Sequence, residues 1–462
     1  MTRRFRWIAA SLTLLLLNET VAVEEGEWPL AGQLLPHPQR IRKIVGDGKR
    51  WLADNTLICI QADEDRRVVE AASRMGSRIP GAELVSGRDA HEQECSSREE
   101  QRVNSGRPVL RVALVKDGLE SREDGAYSMS IGGNGVEILA RDARGLFYGM
   151  ATLSQMLLLQ AQDDMDAAAA REEGVGKDIN SKDKMAWPTL LGSDEFPEGT
   201  SLPAMQISDW PGLANRGIML DVSRNRVHSV DSLKHVADIL SHLKLSQLQL
   251  YTEHTFAYPG HEAVWGGTGA LTPSEVLDLS EYCHDRFISL VPNQQSLGHM
   301  QNWLKHDAYM HLAEDPRGSD RLYTGDFCCC SWRDEQYMPY SMSTSGTASL
   351  DFLASLYQQL LPSFPHSSSL NVGLDEAFDV KPMPGMRHRD GVRASFLQHL
   401  RGVHNIVAGS HNRTLQFWGD MVSSDVQALR ELPGDVVVME WGYESGSPFA
   451  EKAAMYSELG VR

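Results

Sequence analysis

SLNVGLDEAF, residues 369–378, is an apolar run that stops at two adjacent carboxylates, Asp375 and Glu376. Side chains alternate along a strand, so Asn371, Gly373 and Asp375 form its inward-facing set. Glu376 then falls on the first loop residue, where the chain bends and both acids can turn toward one mouth. Five other runs share this design: RGIMLDV (216–222), LSQLQLYTE (245–253), FISLVPN (287–293), TLQFWGD (414–420) and DVVVMEW (435–441). Helix-like stretches such as DSLKHVADILSHL separate several of them, the pattern of parallel strands covered on their outer side. Almost every run ends in side chains with chemical capacity: Asp221 and Arg224, Glu253 and His254, Asn293 and Gln295 with His299 beyond, Asp375 and Glu376, Trp418 and Asp420, and Trp441. In a β/α barrel all strand C-termini converge on one mouth. An open doubly wound sheet needs such endings only near its switch point, and a Gly-rich phosphate turn after its first strand, which RGIMLDVSRNRV lacks. The expected fold is α/β, a (β/α)8-type (TIM) barrel over residues 205–462. Six strands are visible where eight are needed, so the barrel is expected to be C-terminally incomplete, truncated before its last strands.

Upstream, residues 43–160 mix β-rich and helix-like runs. YSMSI and VEILA alternate around Gly132-Gly133-Asn134-Gly135, which predicts a hairpin, and Leu146, Met150, Leu153, Met156 and Leu157 have helical spacing. A small α+β domain is expected there. Residues 161–204 are acidic, punctuated by Gly, Ser and Pro, and read as a flexible linker or insert. The N-terminus places Arg3, Arg4 and Arg6 before an apolar stretch from Trp7 to Leu17 and small residues ending at Ala22. That order predicts a signal peptide over residues 1–22 and a secreted or lysosome/vacuole-like destination, with no membrane attachment after cleavage.

Of the 462 residues, 44 are Lys or Arg and 62 Asp or Glu, a net charge of −18 that repels phosphate backbones and excludes nucleic acid as a partner. Six cysteines are compatible with an oxidising compartment, but no pairing follows from them, and the consecutive Cys328, Cys329 and Cys330 cannot all face one tetrahedral zinc ion. No metal or cofactor is expected. Asn412-Arg413-Thr414 is a glycosylation sequon, usable if the chain is secreted and the loop exposed.

Glycoside cleavage needs two carboxylates with different tasks. Neighbouring residues are poorly placed to flank a bond from opposite faces. They suit substrate-assisted hydrolysis, in which the sugar's own 2-acetamido oxygen attacks the anomeric carbon, one carboxylate orients that amide, and the other protonates the leaving oxygen. NVGLDE resembles the fourth-strand signature of the β-N-acetylhexosaminidases of glycoside hydrolase family 20. RGIMLDVSRNRV resembles that family's first barrel strand, LQFWGDMV its fifth, and EILARDARGLFYGMATLSQML its small N-terminal domain. YTEHTFAYPGHE and VPNQQSLGHMQNWLKHDAYMHLAE are similar to its hexosaminidase D-like branch.

The resemblance implies an exo-acting β-N-acetylhexosaminidase that retains configuration and acts on glycans ending in N-acetylglucosamine or N-acetylgalactosamine. Glu376 would be the general acid and Asp375 the acetamido-orienting group. Arg224 would bind sugar hydroxyls, Trp418 would line the acetamido pocket, and Trp441 would add to the substrate-binding set. Glu253 and His254 stand where family members often carry paired acids, and which faces the sugar is left open. His299 matches a Gly-His in which the histidine is often backed by an aspartate four residues earlier. Here that position is Gln295, an amide expected to fix the imidazole tautomer without stabilising its cation. The alternative is a non-catalytic glycan-binding remnant, motivated by the truncated barrel.

Overall fold

The computed structural model describes residues 34, 36–43, 50–52, 54–61, 65–86, 108–133, 135–173, 196–317 and 339–462. The expected signal segment 1–22, Cys95, Cys328 to Cys330, Asn134 and half of the acidic stretch, 174–195, lie outside the described residues. The chain forms two units, one of Met1–Arg216, Val236–Ser246 and Asp285–Phe287, the other of Gly217–His235, Gln247–His284 and Ile288–Arg462.

In the first unit a seven-stranded sheet runs in the order β1 (Arg40–Lys43), β9 (Met205–Asp209), β6 (Tyr127–Gly132), β7 (Gly135–Ala140), β5 (Val109–Leu114), β3 (Leu57–Gln61) and β4 (Glu83–Ser86). The short strands β2 (Arg50–Leu52) and β8 (Ser201–Pro203) pair separately. The expected hairpin is β6 and β7, antiparallel with Gly132 opposite Gly135, and each strand buries alternate residues. Helices Arg66–Gly76 and Ala143–Glu173 contribute Val68, Met75, Leu146, Met150, Leu153 and Leu157 to the core beneath the sheet. At roughly 2 kcal/mol per fully buried Leu or Met, those side chains fix which face of each helix is inside. Asp142 starts the second helix by accepting from the Gly145 N–H at 2.8 Å.

Two features differ from the sequence pattern. The second helix continues past Gln160 to Glu173. DMDAAAARE would be marginal as an isolated helix, but here it extends one already nucleated and packed, and propagation is cheap. Residues 205–209, grouped by their sequence with the later strands, instead pair antiparallel with β1 and β6. Their burial alternates, as in a sheet with one covered face.

Among the described residues the second unit has six parallel strands, one from each run quoted above: β10 (Gly217–Asp221), β11 (Gln247–Tyr251), β12 (Ser289–Val291), β13 (Ser369–Asn371), β14 (Thr414–Trp418) and β15 (Val437–Met439). They lie side by side in chain order, and a parallel bridge between Asn293 and Asn371 joins the two groups of three. A helix follows each strand in the sequence. In a flat sheet β11 and β14 would stand roughly 14 Å apart. Instead Gln249 Nε2 donates to Gln416 Oε1 at 3.1 Å, and Asn371 Nδ2 donates to Gln249 Oε1 at 3.1 Å and reaches Met439 Sδ at 3.5 Å. Side chains of β11, β13, β14 and β15 thus meet on one inner face, and the strands curl around it.

Candidate active site

The regular part of β13 ends at Asn371, and the next five residues abandon strand geometry. Gly373, Leu374 and Glu376 all take left-handed backbone, with φ of 70°, 73° and 52°. For the two non-glycine residues this costs on the order of 1–3 kcal/mol each, so the surroundings must hold them there. Asn371 Oδ1 accepts from Gly373 N at 2.9 Å, Gln295 Oε1 from Leu374 N at 3.3 Å, and Asp420 Oδ2 from Glu376 N at 2.9 Å. The turn cancels the period-two alternation that would send neighbouring acids to opposite faces. Asp375 Oδ2 and Glu376 Oε2 lie 3.3 and 3.2 Å from the same atom, Nε2 of His299.

His299 also has left-handed backbone (φ 59°), and Gly298 before it lets the two loops touch, since a Cβ there would stand 2.3 Å from the Asp375 carbonyl oxygen. Burial pushes the imidazole down, but hydrogen bonds to Asp375 and Glu376 and the charge of Glu253 outweigh it and lift His299 to about 10. Its Nδ1 is 3.5 Å from Glu253 Oε1, and the Tyr340 hydroxyl lies 3.0 and 3.1 Å from the two ring nitrogens. Asp375 is pushed up by burial, yet hydrogen bonds from His299 and Gln295 hold it below the usual carboxylate range. Its Oδ1 accepts from Gln295 Nε2 at 2.7 Å and its Oδ2 from the Tyr251 hydroxyl at 3.2 Å.

Arg224 Nη1 pairs with Glu253 at 2.7 Å and with Asp221 at 3.4 Å, and the guanidinium stands 5.0 Å from the Tyr251 ring centre. Its pairing with acids and its third-exposed position coexist, so it closes one side of the cluster while still facing solvent. Glu253 is 1% exposed, and burial lifts it to about 7 despite Arg224 and His299. Between Glu253 and His254, the first joins the cluster. His254 turns to Asn302, 3.3 Å away, and burial lowers it to about 4.

Trp418, half-buried at the end of β14, donates its backbone N–H to Gly373 O at 2.9 Å, and its indole Nε1 is buried without an acceptor. Trp441 reaches the acids indirectly, donating to Asp420 Oδ1 at 3.3 Å. The expected contact between Gln295 and the His299 imidazole is not made. Gln295 bonds to Asp375, and His299 takes its charge balance from Glu253, Asp375 and Glu376 instead. Tyr251 and Tyr340 were absent from the site read in the sequence, and Asp420 was named at its strand end without a role. Tyr251 and Asp420 carried a signal, being at strand ends. Tyr340 carried none, because no strand-like run leads to it. Among the described residues no group of three His, Cys, Asp or Glu side chains could hold a metal ion.

Comparison with known proteins places this arrangement. A beta-hexosaminidase of Porphyromonas gingivalis is 25% identical over 311 residues, 64% of this chain and 34% of that protein. Hexosaminidase D of Homo sapiens is 24% identical over 212 residues, 45% of this chain and 38% of that protein. The chain thus spans little more than a third of the length of these curated relatives. The solved GH20 beta-N-acetylhexosaminidase from Streptomyces coelicolor A3(2) superposes with a TM-score of 0.62 at 22% identity, covering 93% of this chain and 73% of that one. The fold is shared: a TIM-barrel domain preceded by an N-terminal domain. Residues 31–210 match "Glycosyl hydrolase family 20, domain 2" and residues 214–456 match "Glycosyl hydrolase family 20, catalytic domain". The second match alone runs through every side chain of the cluster and covers more than half of the sequence, and on that ground the chain belongs to glycosyl hydrolase family 20.

Proposed function

We propose that this protein is an exo-β-N-acetylhexosaminidase that removes terminal N-acetylglucosamine or N-acetylgalactosamine by substrate-assisted, retaining catalysis. The observation that carries the reading is the pair Asp375 and Glu376, turned together onto His299 by a left-handed bend. Asp375, favoured as the anion, accepts a hydrogen bond from the 2-acetamido N–H and aims its carbonyl oxygen at the anomeric carbon. That oxygen forms the new C–O bond as the glycosidic bond breaks, and Glu376 gives its proton to the departing oxygen. In the second half Glu376 takes a proton from water, which opens the oxazoline-like ring from the same face, so configuration is retained. Arg224, held by Glu253, offers its remaining N–H groups to sugar hydroxyls. The unpaired indole N–H of Trp418 is a donor that a bound sugar could satisfy.

Chromogenic N-acetylglucosaminide and N-acetylgalactosaminide substrates test the proposal with Glu376→Gln as control. Loss of a general acid costs on the order of 100- to 10,000-fold in turnover. Turnover by the wild type that Glu376→Gln leaves untouched would refute the assignment.

A further inference from the structure

Gln295 is fully buried on the segment between β12 and His299. Its amide meets two opposite demands: Nε2 donates to Asp375 Oδ1 at 2.7 Å while Oε1 accepts from the Leu374 N–H at 3.3 Å. A carboxylate in its place has no donor for Asp375 unless it keeps a proton. The amide is also boxed in. Its own backbone N–H is tied to Thr252 O at 2.9 Å, and Gly373 closes so tightly that a Cβ there would lie 1.8 Å from Gln295 Oε1. The other oxygen of Asp375 is taken by Tyr251 and His299, at 3.2 and 3.3 Å. Among the described residues, the ionisable groups linked to the cluster by the contacts above are Asp221, Glu253, Asp375, Glu376 and Asp420 against Arg224 and His299, with Tyr251 and Tyr340 between them. Negative charge is in excess, and a further carboxylate 2.7 Å from Asp375 would be repelled by it.

We propose that Gln295 is the positioning residue of the acetamido-orienting carboxylate: its neutral amide locks Asp375 through Oδ1 and braces the left-handed turn that brings Glu376 alongside. The inference rests on the function proposed above, and its tests separate the two.

Gln295→Glu, purified and assayed from about pH 5 to 9, is the first variant. At the acid end the introduced carboxyl keeps a proton and replaces the missing donor, so kcat stays within a few-fold of wild type. As pH rises that shared proton leaves and the two carboxylates repel. The variant's kcat then falls further than that of the wild type, by an additional factor on the order of 10- to 100-fold at the alkaline end. Its melting temperature drops over the same range. The swapped pair, Gln295→Glu with Asp375→Asn, restores one amide facing one carboxylate, and it recovers the melting temperature but not turnover. If the curves of Gln295→Glu run parallel to wild type in both kcat and melting temperature, or the swap restores nothing, Gln295 does not position Asp375. If the wild type itself has no turnover, the proposed function fails while the melting series still decides the lock.

Discussion

The backbone N–H of Glu376 donates to Oδ2 of Asp420 at 2.9 Å, linking the end of β13 to the end of β14. The proposed acid is a left-handed residue, so this bond helps keep it in a conformation it would not choose. Asp420→Ala leaves that N–H unsatisfied and frees the turn, and kcat should fall on the order of 10- to 100-fold. Asp420→Asn keeps an acceptor for the N–H and should lose only a few-fold. Steady-state kinetics of the two variants check this, and equal losses would mean that the carboxylate acts by charge instead.

Stability should be greatest on the acid side of neutrality. His299 rises from 6.5 to about 10 on folding, so its contribution is complete below 6.5 and is lost as pH climbs through about 10. Glu253 rises from 4.5 to about 7 and has the same sign: folding is favoured by its protonated form, and stability declines as pH passes from 4.5 through about 7. Melting temperature should therefore fall between pH 6.5 and 10, and His299→Gln should flatten that interval while being less stable at its acid end. Parallel curves for the two proteins would remove His299 as the cause.

Three glycines separate backbone strain from crowding. Gly346 (φ +76°) has nothing within 4 Å of an added Cβ, so Gly346→Ala should cost only about 1 kcal/mol for the left-handed backbone. Gly373→Ala adds a 1.8 Å collision with Gln295, and Gly298→Ala sets a Cβ 2.3 Å from the Asp375 carbonyl. Each of these should cost about 3 kcal/mol or more in urea unfolding, because the neighbours are themselves fixed.

Asn412 is exposed in a left-handed turn just before β14, whose length puts roughly 13 Å between Thr414 and Trp418. In a secretory host the chain should gain an N-linked glycan at Asn412 that Asn412→Gln removes with turnover unchanged. Mass before and after glycan release reads the outcome directly.

The ends of the strands were legible because the mouth of a parallel sheet collects whatever follows each apolar run. Arg224, Glu253, His299, Asp375 and Glu376 were named on that ground, and the fold brings them into contact. Conformation past a strand end was not legible. Nothing in GLDEAF announces three left-handed residues, and once alternation stops, the choice between Glu253 and His254 depends on whether Arg224 or Asn302 waits opposite. Tyr340 lies 41 residues beyond His299 and meets it only through folding. Gln295 was noticed for the charge it lacks, while its partner, Asp375, sits 80 positions away. In the first unit, β9 was misgrouped because an alternating run adjoining a parallel series gives no sign of the sheet it will join.

The substrate's acetamido group, steered by Asp375, is proposed to do the attacking, and everything else in the mechanism follows from that step. Hydrolysis of a 4-nitrophenyl 2-acetamido-2-deoxyglucoside compared with its 2-deoxy analogue, by the same wild-type preparation, tests it most directly. Fast release from the first, almost none from the second, and inhibition of the first by a thiazoline mimic of the cyclised sugar are the expected results. Comparable rates on both, with no effect of the thiazoline, would contradict it.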